Sequence, residues 1–251
     1  MEREATREAA RVFAEVRASG ALLHELPETS RPKNAREAYA IQLETIARLN
    51  DDIAGWKVAF SDEYELLFGA LLRSRVFADG AAIPSGELAM IGVEAEIAFR
   101  FDRPAPPREL VYERDEIIDC VTAFPAIEIL DSRFKDYHGA SVIDRAADFM
   151  SNSAFVVGQA REDWRAFDLA KLEARLSVDD IEIVRLVGGH AAGDPLNPAI
   201  ALVNKFRDST GIPAGSVVTT GTYTGLQFVK KNSSIHVQFT GFGGVNCRFV
   251  R

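Results

Sequence analysis

The sequence predicts an α+β fold: a small helical N-terminal region over residues 1–54, then a β-rich domain over residues 55–251 with a few helices packed on it. Three observations carry this. Residues 2–18 place Ala9, Val12, Phe13 and Val16 on one side at helical spacing. A second helical pattern begins after Asn34. After Gly55 the texture changes to short extended runs separated by turns rich in Gly, Pro and Asp.

Taken in order, the first helix ends plausibly at Gly20. A polar, proline-containing stretch follows from Leu26 to Lys33. Asn34 is a good N-cap, and Glu37 three residues on completes a capping-box pattern ahead of Ala38, Ile41 and Leu43. That helix runs to about Asn50. Extended runs are then expected at Trp56–Phe60, Ile91–Phe101, Ala123–Leu130, Ala154–Gln159, Leu172–Val178, Ile181–Val187, Ser216–Thr220, Ser234–Thr240 and Gly244–Val250. Val178-Asp179-Asp180-Ile181 reads as a tight hairpin. Helices are expected at roughly 62–74, 113–121, 141–148 and 195–208, the last with Asp194 as cap and Pro195 at its first position.

The composition excludes several classes of function. An apolar content of 47% supports a sizeable core, and a net charge of −8 argues against nucleic acid or an anionic membrane as partner. An anionic substrate then requires a metal, or local lysines and arginines, to reverse the field. Cys120 and Cys247 are too few for a disulfide framework and read as buried thiols. There is no signal-peptide pattern and no apolar run long enough for a membrane span, so a cytoplasmic protein is expected.

The chemistry concentrates in two apolar segments, Val93-Glu94-Ala95-Glu96-Ile97-Ala98-Phe99 and Pro125-Ala126-Ile127-Glu128-Ile129-Leu130-Asp131. Side chains two apart on a strand share a face, so Glu94 and Glu96 point one way and Val93, Ala95, Ile97 and Phe99 the other. Glu128 has apolar neighbours on both sides. Ionised carboxylates in such surroundings are paired or bind metal, and three oxygen donors on stiff strands suit Mg²⁺ or Mn²⁺. An edge strand with two solvated glutamates, and a third paired to an arginine, fits the same pattern.

Lys57, in Gly55-Trp56-Lys57-Val58, either snorkels to the surface or faces these carboxylates. In the second case three anions hold it protonated, as a hydrogen-bond donor rather than a free-amine base. Gly221-Thr222-Tyr223-Thr224-Gly225 is either a structural turn or a cradle in which N–H groups and Thr hydroxyls hold a carboxylate. Asp148 closes a predicted helix, with a structural or a functional role. His24, with Glu25 and Glu28, reads as a solvated loop rather than a water-activating pair. No nucleophile elbow, phosphate loop or dinucleotide fingerprint is present.

In this order, these segments resemble the fumarylacetoacetate hydrolase superfamily, and within it the 2-keto-4-pentenoate hydratase group. The resemblance runs from about Ala35 to the C-terminus, through Glu37–Gln42, Gly55–Val58, Val93–Phe99, Pro125–Arg133, Gly193–Leu196 and Thr219–Gly225. It implies a mixed β-sandwich roll preceded by a small helical region. It also implies a divalent cation on Glu94, Glu96 and Glu128, with Lys57 beside a small 2-oxo or 2-hydroxydienoic acid. Homo-oligomers are implied, and a complex with a decarboxylase subunit is compatible. Two departures bear on the substrate: Asp148 is followed by Phe149-Met150-Ser151-Asn152, and Asp62–Ala78 is short.

The activity implied is addition of water to a 2-hydroxydienoate such as 2-hydroxypenta-2,4-dienoate, giving a 4-hydroxy-2-oxo acid in aromatic-compound catabolism. Lys57, Asp131 and Asp148 are the candidates for general acid–base work, and Thr222 and Thr224 for holding the substrate carboxylate. A 4-oxalocrotonate-type decarboxylase or an acylpyruvate-type hydrolase would use the same metal site. A non-catalytic partner subunit has no use for a costly buried anion cluster.

Overall fold

A computed structural model describes residues 1–251. Helices α1 (Arg3–Ser19) and α2 (Ala35–Leu49) come first. The Asn34 side chain accepts the Glu37 N–H at 3.0 Å, as the sequence predicts. Glu37 itself turns to the Lys33 N–H and the amino terminus, so the capping box is only half made.

The following elements are β1 (Ile53–Ser61), β2 (Glu65–Leu72), β3 (Val76–Ala78), β4 (Ala81–Pro84), β5 (Gly92–Phe101), α3 (Arg114–Ile118), β6 (Val121–Leu130), α4 (Val142–Ala147) and β7 (Asn152–Val157). Then come β8 (Glu173–Val178), β9 (Ile181–Val187), α5 (Leu196–Phe206), β10 (Val217–Thr222), β11 (Gln227–Phe228), β12 (Ser234–Phe239) and β13 (Gly243–Val250). Asp179 and Asp180 both have positive φ, which gives the β8–β9 hairpin the tight turn expected from its sequence.

The helix expected at 62–74 is instead strand β2, paired antiparallel with β1 from Ser61↔Glu65 to Ile53↔Leu72. Leu66-Leu67-Phe68-Gly69-Ala70-Leu71-Leu72 is a continuous apolar run, and periodicity cannot assign such a run to helix or strand. Burial on both faces decides it. Leu67 and Leu71 sit with the helices and the outer cluster, while Phe68, Ala70 and Leu72 enter the main core.

Two sheets form the body. The larger has the order β2-β1-β10-β5-β6-β7-β3, with β11 added beside the start of β5; the smaller runs β4-β13-β12-β8-β9. Pairs β1/β10, β3/β7 and β4/β13 are parallel and the rest antiparallel, which makes the mixed sandwich expected. Ile97, Phe99, Ile127 and Ile129 from the first sheet meet Val237, Phe239, Val245 and Phe249 from the second in one buried core. Each such side chain contributes about 1.5–3 kcal/mol by leaving water.

Strand alternation then sends Glu94, Glu96 and Glu128 to the opposite face, where the helices lie. The division expected at residues 54/55 lies just inside β1, and packing crosses it. Ala9, Phe13 and Ile41 share a cluster with Leu67, Phe134 and Ile143.

Candidate metal centre

The site is built from four adjacent strands. Glu94 on β5 lies directly opposite Glu128 on β6, and Lys57 on β1 pairs in register with Thr219 on β10. A flat sheet would separate the β1 and β6 backbones by about 14 Å. Yet Lys57 Nζ is 3.0 Å from Glu128 Oε2 and 3.8 Å from Glu94 Oε2, so the sheet curls over this face. Between them, β10 shifts register from Thr219↔Ala98 to Thr222↔Glu96. The shift is possible because Gly221 takes φ 117°, a backbone conformation that side chains disfavour. It aims the Thr219 hydroxyl and the Gly221 N–H at Glu96 Oε2, the latter at 3.4 Å.

One oxygen from each of the three glutamates lies within 4.8 Å of the others. Glu96 and Glu128 are fully buried, and the Glu94 side chain is 12% exposed. Asn152 Nδ2 donates to Glu128 Oε1 at 2.9 Å, while Glu96 Oε1 is buried with no partner at all. A buried carboxylate oxygen left without a donor is costly. Three carboxylates and one ammonium sum to −2, an imbalance that a divalent cation cancels. The donor set is all hard oxygen, so the residues fit such an ion.

Protons take its place when no cation is present. Burial pushes the Glu94 carboxyl up to about 7, against the pull of Lys57 and with repulsion from Glu128 added. Glu96 rises well above the carboxylate range, first from burial and then from repulsion by Glu128 and Glu94. Burial alone would lower Lys57, but attraction to Glu128, Glu94 and Glu96 outweighs it and holds the ammonium charged.

The other residues singled out from the sequence lie elsewhere. Leu130 continues the Glu128 face and lines the site, so Asp131 turns to the opposite side. There Asp131 accepts the Ala89 and Met90 N–H groups at 3.1 and 3.0 Å and pairs with Arg133. Asp148 is buried against Arg17 at 2.6 Å and accepts the Arg133 N–H at 3.1 Å. Neither acid reaches the carboxylate cluster.

Thr222 and Thr224 flank the site but spend their hydroxyls on the backbone. Thr224 Oγ1 takes the Ala95 N–H at 3.2 Å where the register breaks, and Thr222 Oγ1 takes the Thr224 N–H at 3.1 Å. The residues that do support the carboxylates, Thr219 and Asn152, carry no signal in the sequence pattern. His24 is exposed and Glu25 pairs with Arg31, as a solvated loop would.

A cavity of 230 Å³ opens on Lys57 and Glu94, walled by Leu67, Leu130, Met150, Leu226 and the polar Ser151 and Arg145. Ser151 Oγ is buried and unpartnered. Phe149, Met150 and Ser151 all take positive φ, an uncommon run for non-glycine residues and a strained one. A larger cavity, 500 Å³, lies beside Arg17, Arg75, Asp131 and Arg133. Its buried aspartate is paired with Arg133, and the carboxylate cluster borders the smaller cavity, through Glu94.

No protein-family model matches the chain. A 2-keto-4-pentenoate hydratase of Burkholderia vietnamiensis (strain G4 / LMG 22486) is 31% identical over 259 residues, covering 94% of each chain. The chain belongs to the 2-keto-4-pentenoate hydratase family. It is an enzyme of the hydro-lyase kind.

The fold of this family member recurs in solved structures. A 4-oxalocrotonate decarboxylase from Pseudomonas putida G7, complexed with calcium and acetate, superimposes with a TM-score of 0.86 at 23% identity. The match covers 100% of this chain and 99% of that one. A fumarylpyruvate hydrolase from Pseudomonas aeruginosa, in complex with Mn²⁺ and pyruvate, gives a TM-score of 0.57 at 13% identity, covering 78% and 88%.

Proposed function

We propose that this protein is a divalent-cation-dependent hydratase that adds water to a 2-hydroxy-2,4-dienoate, giving a 4-hydroxy-2-oxo acid in aromatic-compound catabolism. The observation that carries the reading is the convergence of Glu94, Glu96, Glu128 and a charged Lys57 in one cluster, of which Lys57 and Glu94 line a cavity. The relative's hydratase name supports the reaction. Mg²⁺ or Mn²⁺ suits the all-oxygen donor set, and solved structures of this fold hold calcium or Mn²⁺.

Glu94, Glu96 and Glu128 would hold the cation, which when bound supplies Lewis-acid polarisation to a 2-oxo acid. The chain's own groups do the rest. Lys57 Nζ carries its proton at neutral pH and donates to negative charge developing on the substrate's 2-oxygen. The apolar walls Leu67, Leu130, Met150 and Leu226 keep bulk water from the diene. Ser151 Oγ, free of any protein partner, is placed to orient the substrate or the water that adds. Overall, the dienol loses its hydroxyl proton and the terminal carbon gains one; water then adds across the double bond conjugated to the ketone, its hydroxyl going to C4 and its proton to C3.

The smaller sheet ends in β9, whose Ile181, Ile183, Leu186 and Val187 are exposed, which supports association between copies of the chain. No helix is long and apolar enough to cross a membrane, which is compatible with a cytoplasmic enzyme.

The deciding experiment follows the absorbance of freshly generated 2-hydroxypenta-2,4-dienoate with Mg²⁺, Mn²⁺ or EDTA, and identifies the product by mass. Metal-dependent gain of one water is expected. Loss of absorbance without added water would reduce the activity to ketonisation and sink the hydratase reading.

A further inference from the structure

Arg145 lines the same cavity, and no carboxylate of the protein neutralises it. Its one hydrogen bond is long, 3.4 Å to the Tyr137 carbonyl, and its guanidinium rests 5.1 Å from the centre of the Tyr137 ring. The acids flanking it in sequence have other partners: Asp136 accepts the Gly139 N–H, Asp144 Oδ2 accepts the Ser141 hydroxyl, and the Asp144 N–H donates to Ser141 Oγ. Elsewhere Arg17 and Arg133 each have a buried aspartate.

The Lys57 and Glu94 side chains are nearly buried, whereas Val142 is exposed and Tyr137 and Arg145 are half-buried, and Arg145 forms no ion pair with Glu94 or Glu128. Resting on Tyr137, the guanidinium stands toward the cavity's outer, more exposed end. Between the two ends run the side chains of Leu67, Leu130, Val142, Met150 and Leu226. The cavity is thus polar at the cluster, apolar along its length, and cationic at the other end. Stacking on Tyr137 leaves the flat guanidinium fork free to take two oxygens of one carboxylate.

We propose that Arg145 is a specificity residue that pairs with a second carboxylate at the far end of the substrate, so that the preferred ligand is a 2-oxo dioic acid. This rests on the reading above that the cavity takes a 2-oxo acid at the Glu94–Glu96–Glu128 end. It goes beyond that reading by assigning the substrate's other end. The apolar stretch takes the carbon chain, and the distal carboxylate supplies the anion that Arg145 lacks.

The test is calorimetric titration of the Mg²⁺-saturated enzyme with 2-oxoadipate and with 2-oxohexanoate, equal in carbon number and differing only in the terminal carboxylate. The wild type should bind 2-oxoadipate roughly 10- to 100-fold more tightly. Arg145→Leu should bring that ratio close to one. Arg145→Lys should keep part of it, because the charge stays and the fork is lost. Equal affinity for the two acids in the wild type overturns the proposal without needing any variant to fold. An unchanged ratio in a folded Arg145→Leu protein overturns it too. If neither acid binds, the assignment of the cavity to 2-oxo acids fails first and takes this proposal with it.

Discussion

Lys57 and the carboxylates around it hold each other's charge states in place, and both halves of that statement can be measured. With the divalent cation present, Lys57→Met should lower kcat by roughly 10²–10⁴ while the circular dichroism stays that of the wild type. Equal activity in the variant would remove Lys57 from the chemistry. The carboxylates give a pH dependence whose sign follows from Glu94. Its carboxyl titrates near 7 when folded, against an ordinary value of 4.5.

A raised carboxyl stabilises the fold fully below the unfolded value and loses that contribution as pH climbs through the folded one. The metal-free protein should therefore lose stability between about pH 4.5 and 7, by about 3 kcal/mol from this group. Millimolar Mg²⁺ should restore the melting temperature at pH 7.5, and Glu94→Gln should flatten the slope. A melting temperature that rises over this window in the wild type and in Glu94→Gln alike would contradict the charge assignment. The alternation of Glu94 and Glu96 was legible in the sequence because period two on a strand is unambiguous. The roles of Thr219 and Asn152 were not, since they depend on which strands become neighbours.

At the scale of elements, α1 and α4 are joined by Arg17 and Asp148, both almost wholly buried. Removing one partner leaves an uncompensated charge, so Asp148→Ala should destabilise the fold by about 3–5 kcal/mol in urea denaturation. If stability held and activity alone fell, the acid would instead belong with the chemistry. Strand β2 and the turn at residues 149–151 are fitted just as closely. A Cβ on Gly69 would stand 2.5 Å from the Phe149 carbonyl oxygen, backbone that cannot swing aside. Gly69→Ala should cost about 1–3 kcal/mol, measured by denaturant midpoint, and shift the Met150–Ser151 wall of the cavity. A neutral result would mean that the turn is softer than its packing suggests.

This contact also explains why residues 62–74 misread as helix. The glycine is there for an approach by a segment eighty residues away, and local spacing holds no record of it. Asp131 lies apart from the cluster for a related reason. Its segment carries Glu128, but one step along a strand turns a side chain to the other face.

Across the whole molecule, a β-rich domain with a few helices was readable from the short extended runs and turn signals, and the pairing order was not. Parallel pairs such as β1/β10 join strands about 160 residues apart, beyond any local pattern. The open flank of the smaller sheet carries the last expectation. With Ile181, Ile183, Leu186 and Val187 exposed on an edge strand, Ile183→Lys should lower the mass seen by light scattering after size exclusion. A wild type that elutes as a monomer would instead leave β9 as an edge without a partner.

The carboxylate cluster and much of the cavity wall come from different stretches of chain, although Leu67 and Leu130 of the wall share the sheet with the cluster. Lys57, Glu94, Glu96 and Glu128 stand on the central strands of one sheet, with Thr219 behind them. Tyr137, Val142, Arg145, Met150 and Ser151 lie within fifteen consecutive residues, 137–151, outside that sheet. Much of the cavity's outer wall is therefore one continuous segment. A cassette cut at these residues and exchanged between relatives should carry part of the substrate preference with it, leaving the carboxylates and Lys57 of the recipient in place.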